Sequence, residues 1–198
     1  MRATRVDLGF HLIMPHETEL WYFAYGANLD PAILIERRGI VPMASRRAVL
    51  HGYQLVFDQP GIPWLEPSFA NLAQDEASSV RGVVYRLSPD QLEELDALEG
   101  DGAYDHLDVS VEVEDGPPVM AKTYVTYDTE QGLLPSRRYM GLLIRGAREH
   151  GLHEEWIHRL ETQPTSGSMG LALIAPLLMR CFEMGFRARR AFRHLMER

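Results

Sequence analysis

Cysteine is nearly missing from this 198-residue chain: Cys181 stands alone, which rules out an internal disulfide and suits a reducing compartment. Its neighbours Phe182 and Met184 mark a buried thiol rather than a nucleophile. Basic residues are also in deficit. The 20 Lys and Arg against 28 Asp and Glu leave a formal charge of −8, and no basic stripe crosses the central chain, so a nucleic-acid partner is excluded. No apolar run approaches the ~18 residues of a membrane span. Phe10 to Met14 is interrupted by His11 and closed by Pro15, too short for a secretory signal. The expectation is a soluble cytoplasmic protein with no integral membrane span. Internal repeats and low-complexity tracts are lacking as well.

Metal and cofactor signatures are missing too. His150, His153 and His158 are close in sequence, but the last two are five apart, not the four that places a pair on one helical face. Asp96, Glu99, Asp101 and Asp105 do not have the spacing of a calcium loop. Gly26 lacks the companion glycines and lysine of a nucleotide loop, and Gly167-Ser168-Met169-Gly170 falls one residue short of a nucleophile elbow. The expectation from these spacings is no metal site and no nucleotide-binding loop.

Two stretches carry chemistry. Leu20 to Tyr25 is aromatic and apolar, as a buried strand would be. Gly26 lets it turn tightly, and Asp30-Pro31 supplies an N-cap and first-turn proline for a following helix. Such a strand-to-helix turn leaves backbone N–H groups unpaired, a seat for an anion or oxyanion. In the second stretch, Ser88-Pro89-Asp90-Gln91 reads as a capping box, and Leu92, Leu95 and Leu98 give one apolar face. Gly100 and Gly102 end this helix, so Glu99 falls last, beside carbonyls whose dipole disfavours an ionised acid. Two readings of Glu99 stay open on local grounds: a general base, or a solvated glutamate at a helix end.

Elsewhere, Arg47 to Phe57 reads as two strands or one bent strand around Gly52. The segment Pro60 to Pro67 reads as a loop whose Trp64 and Leu65 either connect or cover a pocket. Leu107 to Val113 alternates with polar residues, turns at Asp115-Gly116-Pro117-Pro118, and returns from Val119 to Tyr127. Helices follow over Ser136–His150 and His153–Glu161, then a linker from Gln163 to Gly170. From Gly167 onward there are six arginines against two glutamates, on an amphipathic pattern interrupted by Pro176. A tail docked on its own domain, a helix exchanged across a homodimer and a basic surface-membrane helix are the three readings of it. The strand-rich first two thirds give an α+β class.

The segment Tyr22-Phe23-Ala24-Tyr25-Gly26-x-Asn28-Leu29 resembles the signature loop of the gamma-glutamylcyclotransferase-like family. In that family's order follow Val80-Arg81-Gly82-Val83-Val84-Tyr85-Arg86-Leu87, then Leu95-Asp96-Ala97-Leu98-Glu99-Gly100 closed by Tyr104, then Tyr139 through Leu152. The resemblance covers residues 20–164, with 1–19 a variable leader and 165–198 a linker and amphipathic helix. It implies a small mixed β-barrel with helices outside. It also implies cofactor-independent release of 5-oxoproline from a γ-glutamyl amino acid or γ-glutamylamine, an acyltransferase or lyase reaction of the kind used in glutathione metabolism. Carried onto this sequence, Glu99 is the sole proton-transfer residue, and Tyr22, Tyr25, Gly26, Ala27, Asn28, Leu29 and Tyr139 bind substrate. Several members have serine where this chain has Ala27; backbone amides are kept by that change and a hydroxyl contact is lost. Removal of a γ-glutamyl protecting group from a biosynthetic intermediate, and a non-catalytic module binding a small ligand, are the rival implications.

Overall fold

The computed structural model describes residues 20–63, 65–99 and 104–166. The leader, Trp64, the helix stop at Gly100 and Gly102, and the tail from 167 with Cys181 lie outside the described residues.

Five strands close into a barrel in the order β1-β3-β2-β4-β5. They are β1 (Leu20–Ala24), β2 (Ala44–Ile62), β3 (Glu66–Leu87), β4 (Asp105–Val113) and β5 (Val119–Val125). Every pairing is antiparallel except the one that closes the barrel, where β1 runs parallel to β5 at Tyr22 and Lys122. This is the small mixed barrel that the resemblance implies. Closure removes the open edges that a short β1 would otherwise expose. Val109, Val111 and Val113 point inward while Asp108, Ser110 and Glu112 stay wet, as their alternation requires. Among the described residues no helix is long and apolar enough to cross a membrane.

The Arg47–Phe57 stretch is one bent strand. Its register slips between His51 and Tyr53, where Gly52 takes a φ of 80°: these pair with Ser79 and Gln74, so the additional residues lie on β3 and the ribbon bends there. Pro60 to Pro67 is not a loop. β2 continues through Ile62, β3 begins at Glu66, and the Leu65 N–H closes the hairpin onto the Ile62 carbonyl at 2.9 Å. Leu65 is buried and takes no part in the cavity wall described below.

Among the described residues three α-helices pack outside: α1 (Pro89–Glu99), α2 (Arg137–Glu149) and α3 (Glu154–Glu161). The capping box of α1 is reciprocal: Gln91 N–H donates to Ser88 Oγ at 3.2 Å, and Ser88 N–H to Gln91 Oε1 at 3.0 Å. Ser136 caps α2 by accepting from the Tyr139 N–H, and Gly151 joins α2 to α3 with a φ of 62°. The expected linker begins under restraint, since the Ser166 N–H donates to the Pro135 carbonyl at 2.9 Å.

Candidate active site

Beyond β1 the chain makes one 3₁₀ turn over Ala27–Leu29, closed by Leu29 N–H to the Gly26 carbonyl at 3.0 Å and Asp30 N–H to the Ala27 carbonyl at 3.1 Å. Among the described residues no backbone carbonyl takes the N–H groups of Gly26, Ala27 or Asn28, and the Ala27 N–H instead donates to the Tyr139 hydroxyl. Gly26 keeps a negative φ of −106°, so handedness does not demand glycine there. Close approach does: an added Cβ would lie 3.2 Å from the Tyr139 hydroxyl and 3.5 Å from the Ala70 Cβ.

Asp30 starts the next helical segment as expected, its Oδ1 accepting from the Ala32 N–H at 3.0 Å and its other oxygen pairing with Arg145. That segment, Ala32–Arg37, winds as a π-helix rather than an α-helix, with Arg38 N–H bonding the Ile33 carbonyl at 3.0 Å. The wider winding brings Arg37 and Arg38 to the wall of a cavity of about 260 Å³.

Glu99 ends α1 and lines the same cavity. Its Oε1 accepts from Asn28 Nδ2 at 3.0 Å and from Arg38. The structure places the Arg38 guanidinium on this carboxylate, a partner that no sequence pattern signals. The solvated reading fails, because the side chain is only 14 % exposed. Asn28 spends its second N–H on the Tyr22 hydroxyl at 2.8 Å, which fixes the orientation of its amide. The two oppositely charged groups offset much of each other's desolvation, with Asn28 adding a neutral donor.

Tyr22, Tyr25, Gly26, Ala27, Asn28 and Tyr139 all line the cavity. Leu29 does not. It is fully buried beneath the turn, where Gly146 of α2 passes so close that a Cβ would lie 2.4 Å from the Leu29 carbonyl carbon. Leu29 thus belongs to the core and cannot touch a ligand. Tyr25 commits its hydroxyl to the Tyr124 carbonyl at 2.6 Å. Tyr139 accepts from the Ala70 N–H at 3.1 Å, so its own proton remains available to donate. Burial raises the pKa of Tyr22, Tyr25, Tyr104, Tyr124 and Tyr139 above the usual phenol value, with the nearby Glu99 charge adding to it, so these act as neutral groups.

Arg38, Gln59, Phe69 and Arg138 also line the cavity and carry no sequence motif. Arg138 was readable only as the neighbour of Tyr139, and Arg38 is displaced toward Glu99 by a helical winding that no residue pattern signals.

A family model described as the AIG2-like family matches residues 79–160. The chain is 33% identical over 157 residues to gamma-glutamyl cyclotransferase gliK of Aspergillus fumigatus, a match taking in 66% of this chain and 57% of that relative. It thus spans little more than half of that protein. It is 30% identical over 156 residues to the Homo sapiens gamma-glutamylcyclotransferase, covering 74% of this chain and 80% of the human one. A solved gamma-glutamyl cyclotransferase structure superposes with a TM-score of 0.68 at 26% identity, over 77% of this chain and 92% of its own. The chain belongs to the gamma-glutamylcyclotransferase family.

Proposed function

We propose that this member of the family is itself a γ-glutamyl cyclotransferase, with Glu99 moving the proton and the Gly26–Asn28 amides holding the glutamyl end. The reading is carried by one observation: Glu99 and the turn meet at one cavity wall through the 3.0 Å bond from Asn28.

The chemistry follows from that arrangement. The substrate's α-amine attacks its own γ-carbonyl, forming a ring C–N bond. Because the nucleophile is tethered, holding the chain curled supplies most of the proximity advantage. As the carbonyl oxygen gains negative charge, an N–H of the turn that no backbone carbonyl takes stabilises it. Glu99 accepts a proton from the attacking nitrogen, and the departing nitrogen receives one as the amide C–N bond breaks. The products are 5-oxoproline and a free amine, and no redox partner is needed.

Arg38 balances Glu99 while the acid is ionised and its donors keep the carboxylate in place. Incubation of the protein with γ-glutamyl amino acids and γ-glutamylamines tests the activity. Release of 5-oxoproline supports it, whereas ligand binding with no such product would leave a binding module.

A further inference from the structure

We propose that the cavity holds a separate subsite for the departing half of the substrate, in which Arg138 recognises a carboxylate. The inference rests on the γ-glutamyl reading above and narrows it to substrates whose departing amine is an amino acid or short peptide.

Arg138 and Tyr139 lie in the first turn of α2, the end at which aligned peptide dipoles present positive charge. Both residues line the cavity. The Arg138 Nε donates to Glu66 Oε1, and Glu66 is 0% exposed. The other Glu66 oxygen accepts from the Ser136 hydroxyl at 2.6 Å, and Ser136 Oγ accepts from the Tyr139 N–H at 3.0 Å. One buried carboxylate therefore fixes the guanidinium and the helix start together. A guanidinium has five N–H donors, so a partner at Nε leaves its outer fork able to hold a second anion.

The braces here differ from those around the acid: Glu66 and Ser136 hold this end, Asn28 and Arg38 hold Glu99. Glu66 lies at the tip of the β2–β3 hairpin opposite Ile62, and Gln59 pairs with Phe69 a few rungs along. Tyr104 also lines the cavity and is hydrogen-bonded to Gln59. Gln59 Oε1 is buried and has no partner among the described residues, an acceptor suited to an amide N–H. Arg38 is already engaged by Glu99. The glutamyl end carries one carboxylate, which the reading above assigns to the turn. A second, separately braced cation matches a second carboxylate, carried by the departing group.

The test compares γ-glutamylalanine with γ-glutamylethylamine, which lacks only that carboxylate. The expected wild-type kcat/KM ratio favours γ-glutamylalanine by ~10–100-fold, mainly through KM. Arg138→Met should collapse the ratio toward one, Arg138→Lys should keep part of it, and Glu66→Gln should weaken it through KM rather than kcat. Each ratio is internal to one protein, so a partly folded variant still reports. A wild-type ratio near one, or a ratio unchanged in Arg138→Met, overturns the proposal. Should neither compound yield 5-oxoproline, the γ-glutamyl reading fails, and calorimetric binding of the same two compounds decides the subsite. A preference for γ-glutamylalanine that vanishes in Arg138→Met supports it; equal binding, or none, overturns it.

Discussion

Asn28 and Glu99 are 71 positions apart in the chain, yet the Asn28 amide donates to the Glu99 carboxylate at 3.0 Å. The bond ties the turn after β1 to the end of α1, so the two groups to which we assign binding and proton transfer hold one geometry. Asn28→Ala removes a hydrogen bond to a charged group, worth about 1.5–3 kcal/mol. We expect kcat/KM for 5-oxoproline release to fall by ~10–100-fold. Steady-state kinetics with one γ-glutamyl substrate checks this, and unchanged kinetics would remove Asn28 from the site.

Gly146 presses on the turn from α2. Alanine normally favours a helix over glycine by about 1 kcal/mol, so a purely local view has Gly146→Ala stabilising. Here its Cβ would meet backbone, 2.4 Å from the Leu29 carbonyl carbon and 2.6 Å from the Asp30 nitrogen. We expect a loss of about 1–3 kcal/mol instead, seen as a melting temperature lower by roughly 3–10 °C. The turn should shift with it, so activity should drop alongside stability.

Tyr22, Tyr25, Tyr85, Tyr104, Tyr124 and Tyr139 have pKa values raised in the folded protein, burial being the largest cause for each. Above the ordinary phenol value of about 10 the unfolded chain releases these protons while the folded one keeps them. Stability is therefore complete below about pH 10 and is lost as pH rises further. In an alkaline titration these phenolates should form in step with unfolding. Their ionisation in a still-folded protein would contradict the burial.

His150 has the opposite sign. Desolvation lowers its pKa, and its Nε2 lies 2.8 Å from the Tyr85 hydroxyl, near the Leu29 carbonyl. Below about pH 6.5 the unfolded chain takes up a proton that the folded chain resists. Stability from this group is present above that value and falls as pH drops toward the folded pKa. Denaturant unfolding across this range should show a shallower acid loss in His150→Gln than in the wild type.

Much of this was legible in the residues. The period-two alternation of β4, the capping box of α1 and the aromatic run of β1 are local patterns, and each became the element it signalled. The turn and Glu99 were legible through a motif. What the sequence could not convey depends on distant partners. Arg38 reaches Glu99 because a segment winds as a π-helix. Leu29 sits in the signature loop but faces the core because α2 crosses beneath it at Gly146. Pro60 to Pro67 has the composition of a loop, and only pairing across the hairpin, Pro60 with Ser68 and Ile62 with Glu66, keeps it extended. The Arg138–Glu66 pair joins residues 72 positions apart and leaves no local trace.

Glu99→Gln tests the central claim most directly, because the amide keeps the shape of the side chain and a hydrogen-bonding oxygen while removing the base. Turnover of a γ-glutamyl substrate should fall by the ~10²–10⁴ characteristic of general acid–base catalysis, with substrate binding retained. Near-normal release of 5-oxoproline from that variant would contradict the account.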